Sequence, residues 1–139
     1  MSTDTINYWW MNTKPGEWNV LDYPVGYEDT ERLYSDTGRR QVYKNFKAVS
    51  PGDLVIGYET GPTKKVLAVY RITKALYNDL KDGEAIGFRI IERVRKPLHW
   101  DDIKIHPVLK NCMPVRVSNK GSLFALTSEE YHTIVGLVG

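Results

Sequence analysis

The chain has 139 residues, 42% of them hydrophobic and 26% charged, with a formal net charge of +2. That length fits one domain able to bury a core without staples, so 1–139 reads as a single domain. No apolar run approaches the ~20 residues of a membrane-spanning helix. The N-terminus lacks a secretory signal pattern, and the lone Cys112 excludes an internal disulfide. These features predict a cytoplasmic protein with no membrane partner.

The first element expected is a strand over 6–12. Alternation puts Ile6, Tyr8, Trp10 and Asn12 on one face and Asn7, Trp9 and Met11 on the other. Both faces are apolar, which predicts burial on both sides. "TKPG" at 13–16 ends it, because Pro15 presets one turn angle and Gly16 tolerates a positive φ. The stretch up to about Gly38 is rich in Gly, Asp and Tyr and reads as mostly loop with one short helix. A loop of that length inside one domain is often functional. "RRQVYKNFKAV" suits either a strand end or a helical turn. "SPGD" at 50–53 is a turn, and Leu54 starts a strand running to Glu59. "GP" at 61–62 turns the chain into a second apolar strand, "KKVLAVYRITKA", so the two pair as a hairpin. "AIGFRIIERVRKPL" reads as a third long strand. "WDDIKIHPVLKN" reads as a short helix entered at Asp101 or Asp102 and ended near Pro107. Thr127 with Glu130 three residues later is a capping-box pattern, predicting a helix from about Ser128 to Val135. The fold class is α+β: a strongly curved mixed sheet or open barrel flanked by short helices.

The chemistry expected of this chain is binding. His99, His106 and His132 have no partners at metal-ligand spacing, Cys112 has no catalytic signature, and no phosphate-binding or nucleophile motif occurs. Neither a cofactor nor catalysis by the domain itself is expected. A small-molecule enzyme would need a titratable group beside the aromatics, for which Glu17, Asp22 and Glu59 are the candidates. Four tryptophans, nine tyrosines and three phenylalanines are many for this length. Most belong to the core, yet Trp18 follows a Pro-Gly turn in a polar loop. Aromatic walls suit a flat guest, and stacking one base on a ring is worth ~1–3 kcal/mol. Basic residues cluster at Arg39, Arg40, Lys44 and Lys47, at Lys64 and Lys65, and at Arg89, Arg93, Arg95 and Lys96. Solvated surface charge and phosphate contact both account for such clusters.

Several segments carry a resemblance. "YWWMNTKP" is similar to the opening strand of EVE domains, and "YKNF" followed by "SPGDLVIGYE" resembles the family's Arg-Asn-Phe, Gly-Asp and Phe-Tyr segments. "VLAVYRITKALYND" and "NKGSLFALTSEEYHTIV" resemble its next strand and closing helix. The doubled Trp and Asn12 look most like the EVE-type N-terminal domains of McrB-like type IV restriction GTPases.

The resemblance implies a PUA-like fold, related to YTH domains, that reads a methylated or hydroxymethylated base flipped from double-stranded DNA. In that setting the domain is the specificity module, and an AAA+ GTPase segment and a nuclease subunit lie outside these 139 residues. The alternative it implies is an RNA-binding regulatory domain for a modified base. Residue by residue, Trp10, Asn12 and Thr13 match the strand bordering the family's pocket. Asn45 matches the Asn of Arg-Asn-Phe, and Tyr58 the central-strand Tyr, with a backbone cap and core packing as the competing roles. The family's cage Trp has no counterpart; Tyr34, beside Ser35 and with Tyr27 behind it, is nearest, and Trp18 is the substitute wall. The expected pocket is thus Trp10, Asn12, Thr13, Trp18, Tyr34, Ser35, Asn45 and Tyr58. The expected phosphate contacts are Arg39, Arg40, Lys44, Lys64 and Lys65. Trp9 is expected in the core, and Trp100 at a helix start.

Overall fold

The computed structural model describes residues 5–33, 43–81 and 83–139. Six strands form one mixed sheet in the order β2-β5-β4-β3-β1-β6. They are β1 (Tyr8–Thr13), β2 (Glu28–Arg32), β3 (Leu54–Glu59), β4 (Lys65–Asp79), β5 (Gly83–His99) and β6 (Leu123–Leu126). The helices are α1 (Tyr43–Ala48), α2 (Trp100–Ile105), α3 (Met113–Arg116) and α4 (Ser128–Val138). β1 and β3 run parallel, and the other pairs are antiparallel. Among the described residues the sheet has two free edges, β2 and β6, so of the two expected architectures it is an open sheet. Four register shifts along the β4–β5 ribbon supply its bends.

Alternation along β1 divides the core as the sequence predicts. Trp9 and Met11 face one cluster, with Leu33, Phe46, Val55, Tyr70, Ile86 and Phe88. Trp10 faces a second, with Ile56, Tyr58, Val69, Ile103, Leu109 and Ile134. α1 and the loop after β1 cover the first face; α2, α3 and α4 cover the second.

Asp53, only 2% exposed, ties the elements together. Its carboxylate accepts hydrogen bonds from Trp9 Nε1 (2.9 Å), Asn7 N (3.1 Å) and Ser50 N (2.9 Å). The expected β3–β4 hairpin forms, and so does the capping box: Thr127 Oγ1 accepts from Glu130 N at 3.0 Å, and Glu130 Oε1 from Thr127 N at 2.9 Å. α4 then runs three residues beyond the expected end.

Four expectations need correction. The first strand begins at Tyr8, leaving Ile6 exposed. The N-cap of α2 is His99, whose Nδ1 accepts from Asp101 N at 3.0 Å, so Asp101 and Asp102 sit in the first turn. Within the polar stretch after Trp18 lies β2, "EDTER", a strand with no apolar residue that pairs along β5. Its alternation signal is absent because it is an edge strand, and its hydrogen bonds come from its neighbour. α3 and β6 were likewise not foreseen; four residues each are too short for a periodic signal.

Candidate functional site

The parallel pair β1–β3 ends at Thr13 and Glu59, side by side in register. The 13–16 turn, with Gly16 at φ +90°, folds the chain back so that Glu17 N and Trp18 N both donate to Lys14 O at 3.1 Å. This carries Trp18 onto the face shared by Trp9 and Met11. Its indole Nε1 donates to Asp29 Oδ2 of β2 at 2.8 Å, which fixes the ring. Tyr23 stacks on it at 5.1 Å and 14°, and Tyr27 stacks on Tyr23 at 4.3 Å and 22°. The edges of Tyr70 and Phe88 meet the same indole at 6.2 and 5.7 Å. Arg93 helps hold this aromatic loop by donating to the backbone carbonyl oxygens of Leu21 and Tyr23.

Tyr70 is the floor. It is fully buried, and its hydroxyl has no hydrogen-bond partner among the described residues. The ring lies across Gly57: a Cβ there would sit 2.5 Å from Tyr70 Cζ, so only glycine admits it. Two carboxyl groups flank the phenol. Burial, then the charges of Glu31 and Glu59, push its pKa far above the usual tyrosine value. Glu59 is 8% exposed and accepts from Thr63 Oγ1 at 2.5 Å. Glu31 points to the same face as Asp29, since their partners Ile86 and Phe88 both lie in that cluster. Desolvation raises its pKa from 4.5 to about 8, with Arg32 opposing the shift and Asp29 and Glu17 adding to it. At neutral pH the Glu31 carboxyl is therefore largely protonated and can donate a hydrogen bond. A phenol without a partner among the described residues, a carboxyl with a raised pKa and an anchored indole lie on this one face of the sheet. Such a set can grip a flat ring and hydrogen-bond its edge.

The expected pocket residues do not all gather here. Thr13 and Trp18 do. Trp10, Asn12 and Tyr58 lie together on the opposite face, as alternation requires. Trp10 is completely buried, stacked on Tyr58 at 4.9 Å, and donates from Nε1 to Asn12 Oδ1 at 2.9 Å. Asn12 Nδ2 donates to Asn119 Oδ1 and Gly121 O. These three residues lock the β1 end to the segment after α3, and Trp10 has no ring face left for a guest. Asn45 Nδ2 donates to Leu123 O at 2.8 Å, which is the backbone-capping role. Tyr34, Ser35, Arg39 and Arg40 lie outside the described residues. Lys44, Lys64 and Lys65 are exposed. Arg89 pairs with Glu28 of β2.

Trp9 is in the core and Trp100 opens α2, as expected. Sequence reasoning missed Tyr23, Glu31 and Tyr70. Only Tyr70 left a signal, a phenol directly after the aliphatic run Val66–Val69. No group of His, Cys, Asp and Glu suited to a metal ion occurs among the described residues. None of their helices is long and apolar enough to cross a membrane.

The sheet order and the flanking short helices define a PUA-like α+β domain. The chain belongs to the EVE domain family, whose profile matches residues 7–137. Its fold is similar to that of Rpa0253 from Rhodopseudomonas palustris, with TM-score 0.80 at 17% identity over 96% of this chain and 94% of that one. Atu2648 from Agrobacterium tumefaciens superposes with TM-score 0.76 at 22% identity, over 96% and 93%. Human THYN1, solved in complex with DNA containing 5-methylcytosine, superposes with TM-score 0.69 at 14% identity, over 94% and 96%. No curated protein matches the sequence.

Proposed function

We propose that this domain recognises a modified base in DNA, rotated out of the duplex and held at the Trp18–Tyr70 end of the parallel strand pair. The observation that carries the reading is the buried Tyr70 hydroxyl, without a partner among the described residues, under the charge influence of Glu31 and against the anchored indole. An orphaned buried hydroxyl costs about 1–3 kcal/mol, and a ligand edge that pairs with it recovers this. The DNA-bound THYN1 structure, which shares the fold, supports DNA as the partner. Trp18 supplies a ring face, backed by the Tyr23–Tyr27 stack, while Tyr70 and Glu31 meet the polar edge of the base. The domain binds and does no chemistry. The likeness of "YWWMN" and "YKNF" to McrB-like domains favours a modification-dependent restriction system working in the cytoplasm, with the GTPase and nuclease supplied elsewhere.

Fluorescence titration against duplexes differing at one base tests this: plain, 5-methylcytosine, 5-hydroxymethylcytosine and N6-methyladenine, with matched RNA as competitor. The expected result is a preference of about tenfold or more for one modified duplex, about 1.4 kcal/mol. Trp18→Ala should abolish that preference, and Tyr70→Phe should reduce it with the ring still seated over Gly57. Retained discrimination in Trp18→Ala removes the indole from the pocket. Stronger binding of RNA than of any duplex overturns the DNA assignment.

A further inference from the structure

The opposite face of the same sheet end holds a cleft of about 460 Å³, within the range of small-ligand sites. Tyr58, Trp100, Lys64, Lys104, Ser118 and Asn119 line it. Three features set it apart from ordinary surface. First, the only three non-glycine residues with positive φ among the described residues all face it: Lys64 at 55°, Ser118 at 54° and Asn119 at 56°. Left-handed backbone at such residues costs of order 1 kcal/mol each and concentrates at ligand clamps. Second, the indole N–H groups of Trp9, Trp10 and Trp18 each have a side-chain acceptor, at Asp53, Asn12 and Asp29. The half-buried Trp100 indole has no acceptor among the described residues. Third, two ammonium groups border the cleft. Lys64 has no ion-pair partner among the described residues. Lys104 meets only Asp101, at 3.4 Å, with side chains 47% and 72% exposed, a contact weak enough to exchange.

We propose that this cleft is a second binding site, for a nucleotide: its phosphate between Lys64 and Lys104, its base against Trp100. The biological occupant rests on the reading of the domain as a DNA binder. The cleft and the base pocket share the end of β1. Thr60 N and Thr60 Oγ1 both donate to Thr13 O, at 2.9 and 3.1 Å, and Asn12 on the cleft side holds Asn119. A strand with one base beside Trp18 reaches Lys64 and Trp100 by crossing this end of β1. Lysine ammoniums suit a phosphate as point charges. A ring face suits any base, so this site contributes affinity without reading sequence. Asp101 competes with the ligand: its charge lies near Tyr58, whose hydroxyl pKa is pushed up to about 12 by burial and then by Asp101.

The test follows the indole N–H resonances of the 15N-labelled protein during titration with deoxycytidine 5′-monophosphate, deoxycytidine and inorganic phosphate. Saturable shifts of the Trp100 indole are expected, strongest with the nucleotide. Lys104→Glu should weaken that binding about tenfold or more, Lys104→Arg should restore it, and Asp101→Asn should tighten it. No shift at Trp100, shifts confined to Trp18, or equal affinity for phosphate alone would each overturn the proposal. With duplex DNA, Lys104→Glu should weaken plain and modified substrates by the same factor. A failure of the base pocket shows instead in the ratio between them, so the two readings fail separately.

Discussion

At the scale of single residues, the carboxyl group of Glu31 has the largest consequence. The folded chain holds its proton up to about pH 8, whereas the unfolded chain releases it near the ordinary 4.5. Below the lower value both states are protonated and folding costs nothing at this site. Between the two, the folded state binds the extra proton, so stability falls as pH rises; above about 8 the loss is complete. The groups that act on Glu31 are Arg32, Asp29 and Glu17, and its own charge acts on Tyr70. Glu31→Gln removes this titration and keeps the shape. Chemical denaturation of both proteins between about pH 5 and pH 9 should show the variant gaining on the wild type by at least ~1 kcal/mol as pH rises. A difference that stays flat would mean that Glu31 is solvated in the folded state. Nothing in the sequence foretold this proton. "EDTER" is five polar residues, and only the pairing of β2 with Ile86 and Phe88 turns Glu31 inward. The Pro-Gly turn before Trp18 was legible, but the packing of its indole on Tyr23, Tyr70 and Phe88 was not.

Among the elements, Asp53 is the joint where β1, β3 and the 50–53 turn meet. Its carboxylate takes the Trp9 indole and two backbone N–H groups, with Gly52 at φ +96° in the turn before it. Asp53→Ala leaves three donors without an acceptor, one of them in the core. Equilibrium unfolding should register a loss of about 3 kcal/mol, since each unsatisfied buried group costs roughly 1–3 kcal/mol. A loss below about 1 kcal/mol would show that water or a shifted turn replaces the carboxylate. The elements legible in the sequence are those whose signals are local. β1, the β3–β4 hairpin and α4 carry alternation, turn residues or a capping box within a dozen positions. β2, α3 and β6 depend on distant partners: β6 is four residues held against β1, and α3 is a single turn, Met113–Arg116, with Pro114 second. The same limit divided the expected site. Alternation correctly joined Trp10 and Asn12 on one face; Tyr58 came from the resemblance, and it packs in the core beside Trp10. Alternation could not show that the loop after β1 would carry Trp18 to the other face.

Across the whole molecule, one sheet separates two core clusters, one on each face. Ile72 lies in the cluster beneath Trp18, and Ile134 of α4 lies in the cluster beneath the helices; both are essentially inaccessible to solvent. Each isoleucine-to-alanine change should cost about 2–5 kcal/mol, the range for a buried side chain cut back to its Cβ. Their cavities open on opposite faces and share no neighbouring side chains in the two clusters, so the costs should add within about 0.5 kcal/mol in the double variant. Urea unfolding of the four proteins of this cycle measures the sum directly. A coupling above about 1 kcal/mol would mean that the sheet bends to relieve one cavity at the expense of the other. That outcome would carry a functional consequence. The proposed base site and the proposed Lys64–Trp100 site stand on these two opposite faces of the sheet. A sheet that transmits strain between its cores would also link occupancy of one site to the shape of the other, whereas a sheet that keeps them independent leaves each site to bind by itself.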